Sequence, residues 1–151
     1  MRTLLLLLLF VSSCSSTVQT YAQRSAARPK PQSQDMARWA GKYPDDKFMN
    51  QPLISAPLRR ILSKADYASL RDYNLMTPIE RVGDYLVTNA QIKYSMPNES
   101  LNIAFNLKDN SVYVVFWKGD DNPTHRKFST KNNEFNLPDD VLKELGLKEQ
   151  E

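Results

Sequence analysis

From Ile79 onward the apolar residues recur at every second position. A period of two commits most of the chain to antiparallel sheet, because successive side chains on a strand point to opposite faces. Ile79 to Val82, the dipeptide Gly83-Asp84, and Tyr85 to Thr88 read as a hairpin with a two-residue turn led by glycine. Leu101, Ile103, Phe105 and Leu107 alternate with Asn102, Ala104 and Asn106, as a half-buried strand does. Lys108 to Ser111 is a tight polar turn. Val112 to Trp117 is an unbroken run of β-branched and aromatic residues, expected to be a central strand covered on both faces. After a loop at Gly119–Pro123, His125 to Ser129 supplies a fifth strand.

Helical spacing flanks this region. Pro57, Leu58, Ile61, Leu62 and Ala65 place one apolar stripe on a helix that starts at the proline. Asp66 is expected to cap a second stretch carrying Tyr67, Leu70 and Tyr73. Pro138, Val141, Leu142 and Leu145 mark a C-terminal helix ended by Gly146. The order helix, strands, helix predicts an α+β fold, an antiparallel sheet of about five strands packed against N- and C-terminal helices.

The N-terminus has a different composition. Met1-Arg2-Thr3, an apolar run from Leu4 to Val11, and Ser12-Ser13-Cys14 describe an export signal over residues 1–13. The run is far shorter than the roughly 20 residues a spanning helix needs. Val11-Ser12-Ser13-Cys14 also matches a lipobox, in which Cys14 is lipidated after cleavage. The alternative is ordinary cleavage near Ala22, which discards Cys14 and leaves a soluble periplasmic protein. Several acyl chains on one residue anchor a protein stably, where one chain does not. Ser15 lacks the aspartate that holds lipoproteins in the inner membrane, which points to the outer membrane facing the periplasm.

Residues 14–42 then form a basic tether, whose coil dimension is about 30 Å. Five Lys and Arg face Asp35 alone there, whereas residues 43–151 hold 14 Lys+Arg against 16 Asp+Glu. The basic charge lies outside the single domain expected at 43–151. Nucleic acid is therefore not an expected partner, since that requires a basic face on the fold.

Motifs for chemistry are sparse. The one Cys and one His leave no multi-Cys zinc site and no His pair. His125 has no nucleophile or carboxylate that the sequence places beside it. Asp139-Asp140 suits the first turn of a helix. Tyr113, Phe116 and Trp117 suit a core. No cofactor, metal or catalytic residue is expected, and the chain is not read as an enzyme. One feature remains, the connection from Gln91 to Ser100 between two strands. It is longer than a hairpin turn requires. Lys93, Tyr94, Ser95, Met96, Pro97, Asn98 and Glu99 give it a cation, two large side chains and a restricted backbone. Loops on a rigid sheet are where binding residues concentrate.

The run from Val82-Gly83-Asp84 through Asn89-Ala90, the loop, Leu101 to Phe105 and Val112-Tyr113-Val114 resembles the inhibitor of vertebrate lysozyme family. That resemblance implies a sheet packed on helices and a periplasmic protein that blocks c-type lysozymes with a loop of the form Cys-Lys-Pro-His-Asp-Cys. Aligned without gaps, the two family cysteines fall on Gln91 and Met96 and the histidine falls on Tyr94, so no signature residue is retained. Tyr94 can act as an aromatic anchor and Lys93 as the positive charge. The expected function is a lipid-anchored inhibitor of a lysozyme or another cell-wall hydrolase, with immunity against a toxin as a related role. The alternative is a structural or envelope-interaction lipoprotein without inhibitory activity.

Overall fold

The computed structural model describes residues 35–94, 98–119, 121 and 123–149. The signal, Cys14, residues 15–34 of the tether and the loop residues Ser95, Met96 and Pro97 lie outside that range. The fold is α+β.

The first helices cover one face of the sheet. Asp45 accepts the Phe48 N–H at 2.9 Å and so caps α1, Asp46–Met49. Helix α2 spans Pro52–Ile61 and places Ile54 and Leu58 in the core. It starts five residues before the expected point, at Pro52 rather than Pro57. Pro57 lies inside the helix and withholds the N–H that would bond the Leu53 carbonyl. The helix stops at Leu62 because Ser63 begins a new one, α3, Lys64–Ser69. Ser63, not Asp66, is the cap. Its hydroxyl accepts the Asp66 N–H at 3.1 Å and donates to the Asp66 carboxylate at 2.8 Å, a closed pair of the capping-box kind.

Among the described residues, six strands then form one antiparallel sheet. They are β1 Leu75–Met76, β2 Glu80–Val82, β3 Tyr85–Gln91, β4 Glu99–Asn106, β5 Val112–Lys118 and β6 Thr124–Ser129. The spatial order is β1-β3-β4-β5-β6, and β2 also pairs with β3. All five expected strands are present, and β1 is a short addition. The Gly83-Asp84 turn closes β2 on β3 with Val82 opposite Tyr85, and Gly83 takes the left-handed φ of 58° that such turns need.

The register sorts side chains into two cores. Leu86, Ala90, Leu101, Ile103, Phe105, Val112, Val114 and Phe116 face the helices. Val87, Ala104, Tyr113 and Val115 face the opposite way, against Leu137, Val141 and Leu145 from the C-terminal segment. Helix α4, Asp139–Glu144, contributes Val141 to that cover between Leu137 and Leu145, with Asp139 and Asp140 in its first turn as expected. The sheet thus sits between two apolar layers.

This corrects the reading of β4. Asn102 and Asn106 do not face solvent; both are buried. Asn102 is buried because its amide is used there. Its Nδ2 donates to the Leu145 carbonyl at 3.0 Å, its Oδ1 accepts from Asn89, and Trp117 Nε1 donates to the same Leu145 carbonyl at 3.1 Å. Leu145 caps α4, and Gly146 follows it at φ 71°, with Gly146 N–H to Lys143 O and Leu147 N–H to Leu142 O closing a Schellman motif. A Cβ on Gly146 would meet the Trp117 ring at 3.4 Å. Asn102→Ala is expected to cost about 1–3 kcal/mol, because it removes a buried amide that joins half-buried Asn89 to the Leu145 carbonyl, which then keeps only the Trp117 N–H. Urea unfolding of the full chain measures it, and a cost near zero would mean that α4 docks by apolar contact alone.

The N-terminal boundary is also corrected. Packed structure begins by Asp35, not at Tyr43. Met36 and Trp39 are 2% and 9% exposed and belong to the helix-side core. Gly41 N–H donates to Ile79 O at 2.7 Å, and Ile79 N–H donates to Lys42 O at 2.8 Å, which ties this segment to the start of β2. None of the described helices is long and apolar enough to cross a membrane.

Candidate partner-binding loop

Strands β3 and β4 are the two interior strands that carry the loop. Their pairing runs to Gln91 opposite Ser100 and is extended by Ile92 N–H donating to Glu99 O at 3.2 Å. Ile92 is half-buried against the helix-side core, so the first foot of the loop is packed. The next residue is held from outside the hairpin. Lys93 N–H donates to Asn74 Oδ1 at 3.4 Å. Tyr94 then turns into the left-handed region at φ 62° and leaves its side chain 88% exposed. Lys93 Nζ sits 4.9 Å from the centre of the Tyr94 ring. Cation–π contact of this kind orients both groups, at about 0.5–1 kcal/mol where exposed.

The other foot belongs to the sheet. Glu99 is the first residue of β4, and its carboxylate pairs with Lys118 Nζ at 2.7 Å. The Asn98 carbonyl accepts Gly119 N–H at 3.0 Å. Of the seven residues singled out, the structure brings Lys93 and Tyr94 together as an exposed pair. Asn98 and Glu99 serve instead to fasten the loop, and Ser95, Met96 and Pro97 lie outside the described residues.

Sequence reasoning missed the groups that fix this geometry. Asn74 lies nineteen positions from Lys93, and an asparagine in a turn-rich stretch gives no signal of a distant partner. Arg126 likewise carries no local signal of its role. It donates to Asp66 Oδ1 at 2.7 Å across sixty positions, and its guanidinium lies 5.1 Å from the Phe116 ring and 5.7 Å from the Phe128 ring. The pair clamps α3 to β6. His125 is on β6, as expected, with its ring 4.6 Å from that of Trp117. Among the described residues, no three His, Cys, Asp or Glu side chains gather as a metal site would require.

Charge around the sheet follows from these contacts. The hydrogen bond from Arg126 holds the Asp66 carboxyl below its ordinary range, against the opposing effect of burial. Burial pushes the Tyr73 hydroxyl up, and the Glu99 carboxylate adds to this. Asp66 thus ionises more readily in the folded chain than in the unfolded one. Its stabilising contribution is present above the ordinary value of 3.8 and is lost as pH falls through the lowered one. Asp66→Asn is expected to lower stability at neutral pH and to flatten the acid side of the stability profile below about pH 4. Denaturation midpoints at acid and neutral pH check this; an acid limb unchanged by the substitution removes the pair as its origin.

No protein-family model matches this sequence, and neither does any curated protein or solved structure.

Proposed function

We propose that this chain is a lipid-anchored periplasmic inhibitor of a lysozyme or another peptidoglycan hydrolase, acting by insertion of the Lys93–Tyr94 pair into the enzyme's cleft. The observation that carries the reading is Tyr94 itself. An aromatic side chain left 88% exposed, on a backbone held at φ 62°, has no role in its own core. Exposed aromatics that are held before binding are the usual anchors of tight interfaces, because little ordering remains to oppose association. Glycoside hydrolases of this kind work with two carboxyl groups flanking the scissile bond. The Lys93 ammonium supplies the complementary charge.

The family that the sequence resembles closes its loop with a disulfide. Here three contacts at the feet take that place: Lys93 to Asn74, Gly119 to Asn98, and Lys118 to Glu99. The mechanism is occupancy, with no bond made or broken. The Cys14 anchor and the basic residues beyond it hold the domain near the outer membrane, where such hydrolases meet the cell wall. Attraction of a basic segment to anionic headgroups supports the same placement.

Titration of the purified full-length protein, in detergent, into c-type lysozyme acting on cell walls tests the reading. Stoichiometric inhibition is expected. No inhibition of lysozyme or of other cell-wall hydrolases at about micromolar excess would instead favour an envelope lipoprotein that uses the fold for structural contacts.

A further inference from the structure

Beside the β1 edge lies a hollow of ≈520 Å³, within the range of small-ligand sites. Its lining includes Tyr43, Asn74, Thr77, Asn89 and Gln91, and contains no charged side chain among the described residues. That is unusual on a chain in which charged residues make up 25% of the sequence. Tyr43 is 65% exposed, and Tyr43 and Tyr94 are the large hydrophobic side chains left open among the described residues. Two of the polar groups are engaged within the fold. Thr77 Oγ1 donates to Asn89 O at 3.3 Å and accepts Asn89 N–H at 3.1 Å, and Asn89 Nδ2 donates to Asn102. Asn74 uses its oxygen on Lys93 and keeps its amide nitrogen. Gln91 is exposed and makes no side-chain hydrogen bond among the described residues.

The hollow adjoins a second of ≈700 Å³, which shares Asn74 with it and is lined also by Tyr67 and by the charged Asp45, Asp46, Arg59 and Arg71. Arg59 lies 5.3 Å from the Tyr67 ring. The two ends differ: the Tyr43 end offers an aromatic face and amide groups, and the far end carries two carboxylates and two guanidinium groups. An ion would gain nothing at the uncharged end, and a purely apolar ligand would bury the amides without partners. A ligand with an apolar face and a hydroxylated rim satisfies both. Sugars have this form: their C–H face packs on an aromatic ring and their hydroxyls pair with amides.

We propose that the Tyr43 end of this cleft binds an uncharged oligosaccharide, with Tyr43 as the stacking platform and Asn74 and Gln91 as the hydrogen-bonding amides. The site shares Asn74 with the support of Lys93 but does not include Tyr94, and it does not depend on the inhibitor reading. Calorimetric titration of the full-length protein with an N-acetylglucosamine tetramer and a glucose tetramer, to about 10 mM, tests it. Saturable binding of at least one is expected. Tyr43→Ala is expected to weaken it about ten-fold, and Gln91→Ala to weaken it further. Neither change is expected to move the unfolding midpoint, because both side chains are exposed. Inhibition of hydrolases, where present, should be unaffected by Tyr43→Ala. No heat of binding from either sugar overturns the proposal. So does binding that survives both substitutions, or a uronic-acid tetramer that binds more tightly than the neutral ones.

Discussion

Trp39→Ala is expected to lower the unfolding free energy by about 3–5 kcal/mol. The indole is 9% exposed and meets the Phe48 ring edge-on at 5.4 Å, with Lys42 Nζ 5.7 Å from its centre. Removing it opens a cavity next to Phe48, in the core cluster that also holds the fully buried Ile54 and Leu58. Trp39→Phe should behave differently. The indole Nε1 is buried and finds no hydrogen-bond partner among the described residues. A buried donor without a partner costs about 1–3 kcal/mol. Phenylalanine removes that donor and keeps a ring, so gain and loss nearly cancel, to within about 1 kcal/mol. Urea unfolding of the two variants and the parent, compared at equal slope, separates these outcomes. An alanine variant within about 1 kcal/mol of the parent would mean that the segment around Trp39 is peripheral. A large loss on Trp39→Phe would mean that the N–H is paired after all. The same packing predicts that a chain starting at Tyr43 loses both Met36 and Trp39 from its core and folds poorly, if at all.

The sheet was legible because its strands alternate or are continuously apolar, and because Gly83-Asp84 has one reasonable use between two such strands. What escaped was long-range. Asn102 is polar, and polarity alone suggests solvent; that its amide meets the Leu145 carbonyl, 43 positions away, depends on where α4 lands. Met36 and Trp39 sit in a stretch of Ser, Gln, Ala and Arg, where two apolar residues are too few to show a period. Pro57 suggested a helix start because proline belongs in first turns, yet Pro52 occupies that turn and Pro57 is tolerated further in. The loop was found as an excess of length between strands, and Tyr94 and Lys93 as its large side chains. Its supports could not be found this way. Asn74, Gly119 and Lys118 reach it from β1's approach and from β5, and each contact is a product of the fold rather than of local sequence.

On the inhibitor reading, Tyr94→Ala is expected to weaken binding to the target hydrolase by about 30-fold or more, and Lys93→Ala with Tyr94→Ala by more than about 100-fold. The stability of the free protein should fall by no more than about 1 kcal/mol in either case, the value of the exposed cation–π contact. Tyr94 is 88% exposed, and its contact with Lys93 Nζ is between two exposed side chains. This separation of affinity from stability is what distinguishes an anchor from a core residue. The two effects should not add, since Lys93 orients the ring that Tyr94 presents and either substitution removes that contact. Tyr94→Gly supplies a second control. Glycine accepts φ 62° without the roughly 1 kcal/mol that other residues incur there, so it should fold at least as well as the parent and still fail to bind. Lys93→Glu should be worse than Lys93→Ala, because it opposes a carboxylate to the acidic groups of a hydrolase cleft. Lys93→Ala and Lys93→Glu binding equally well would show that the charge faces solvent in the complex. Unchanged affinity in the double variant would remove the loop as the binding surface.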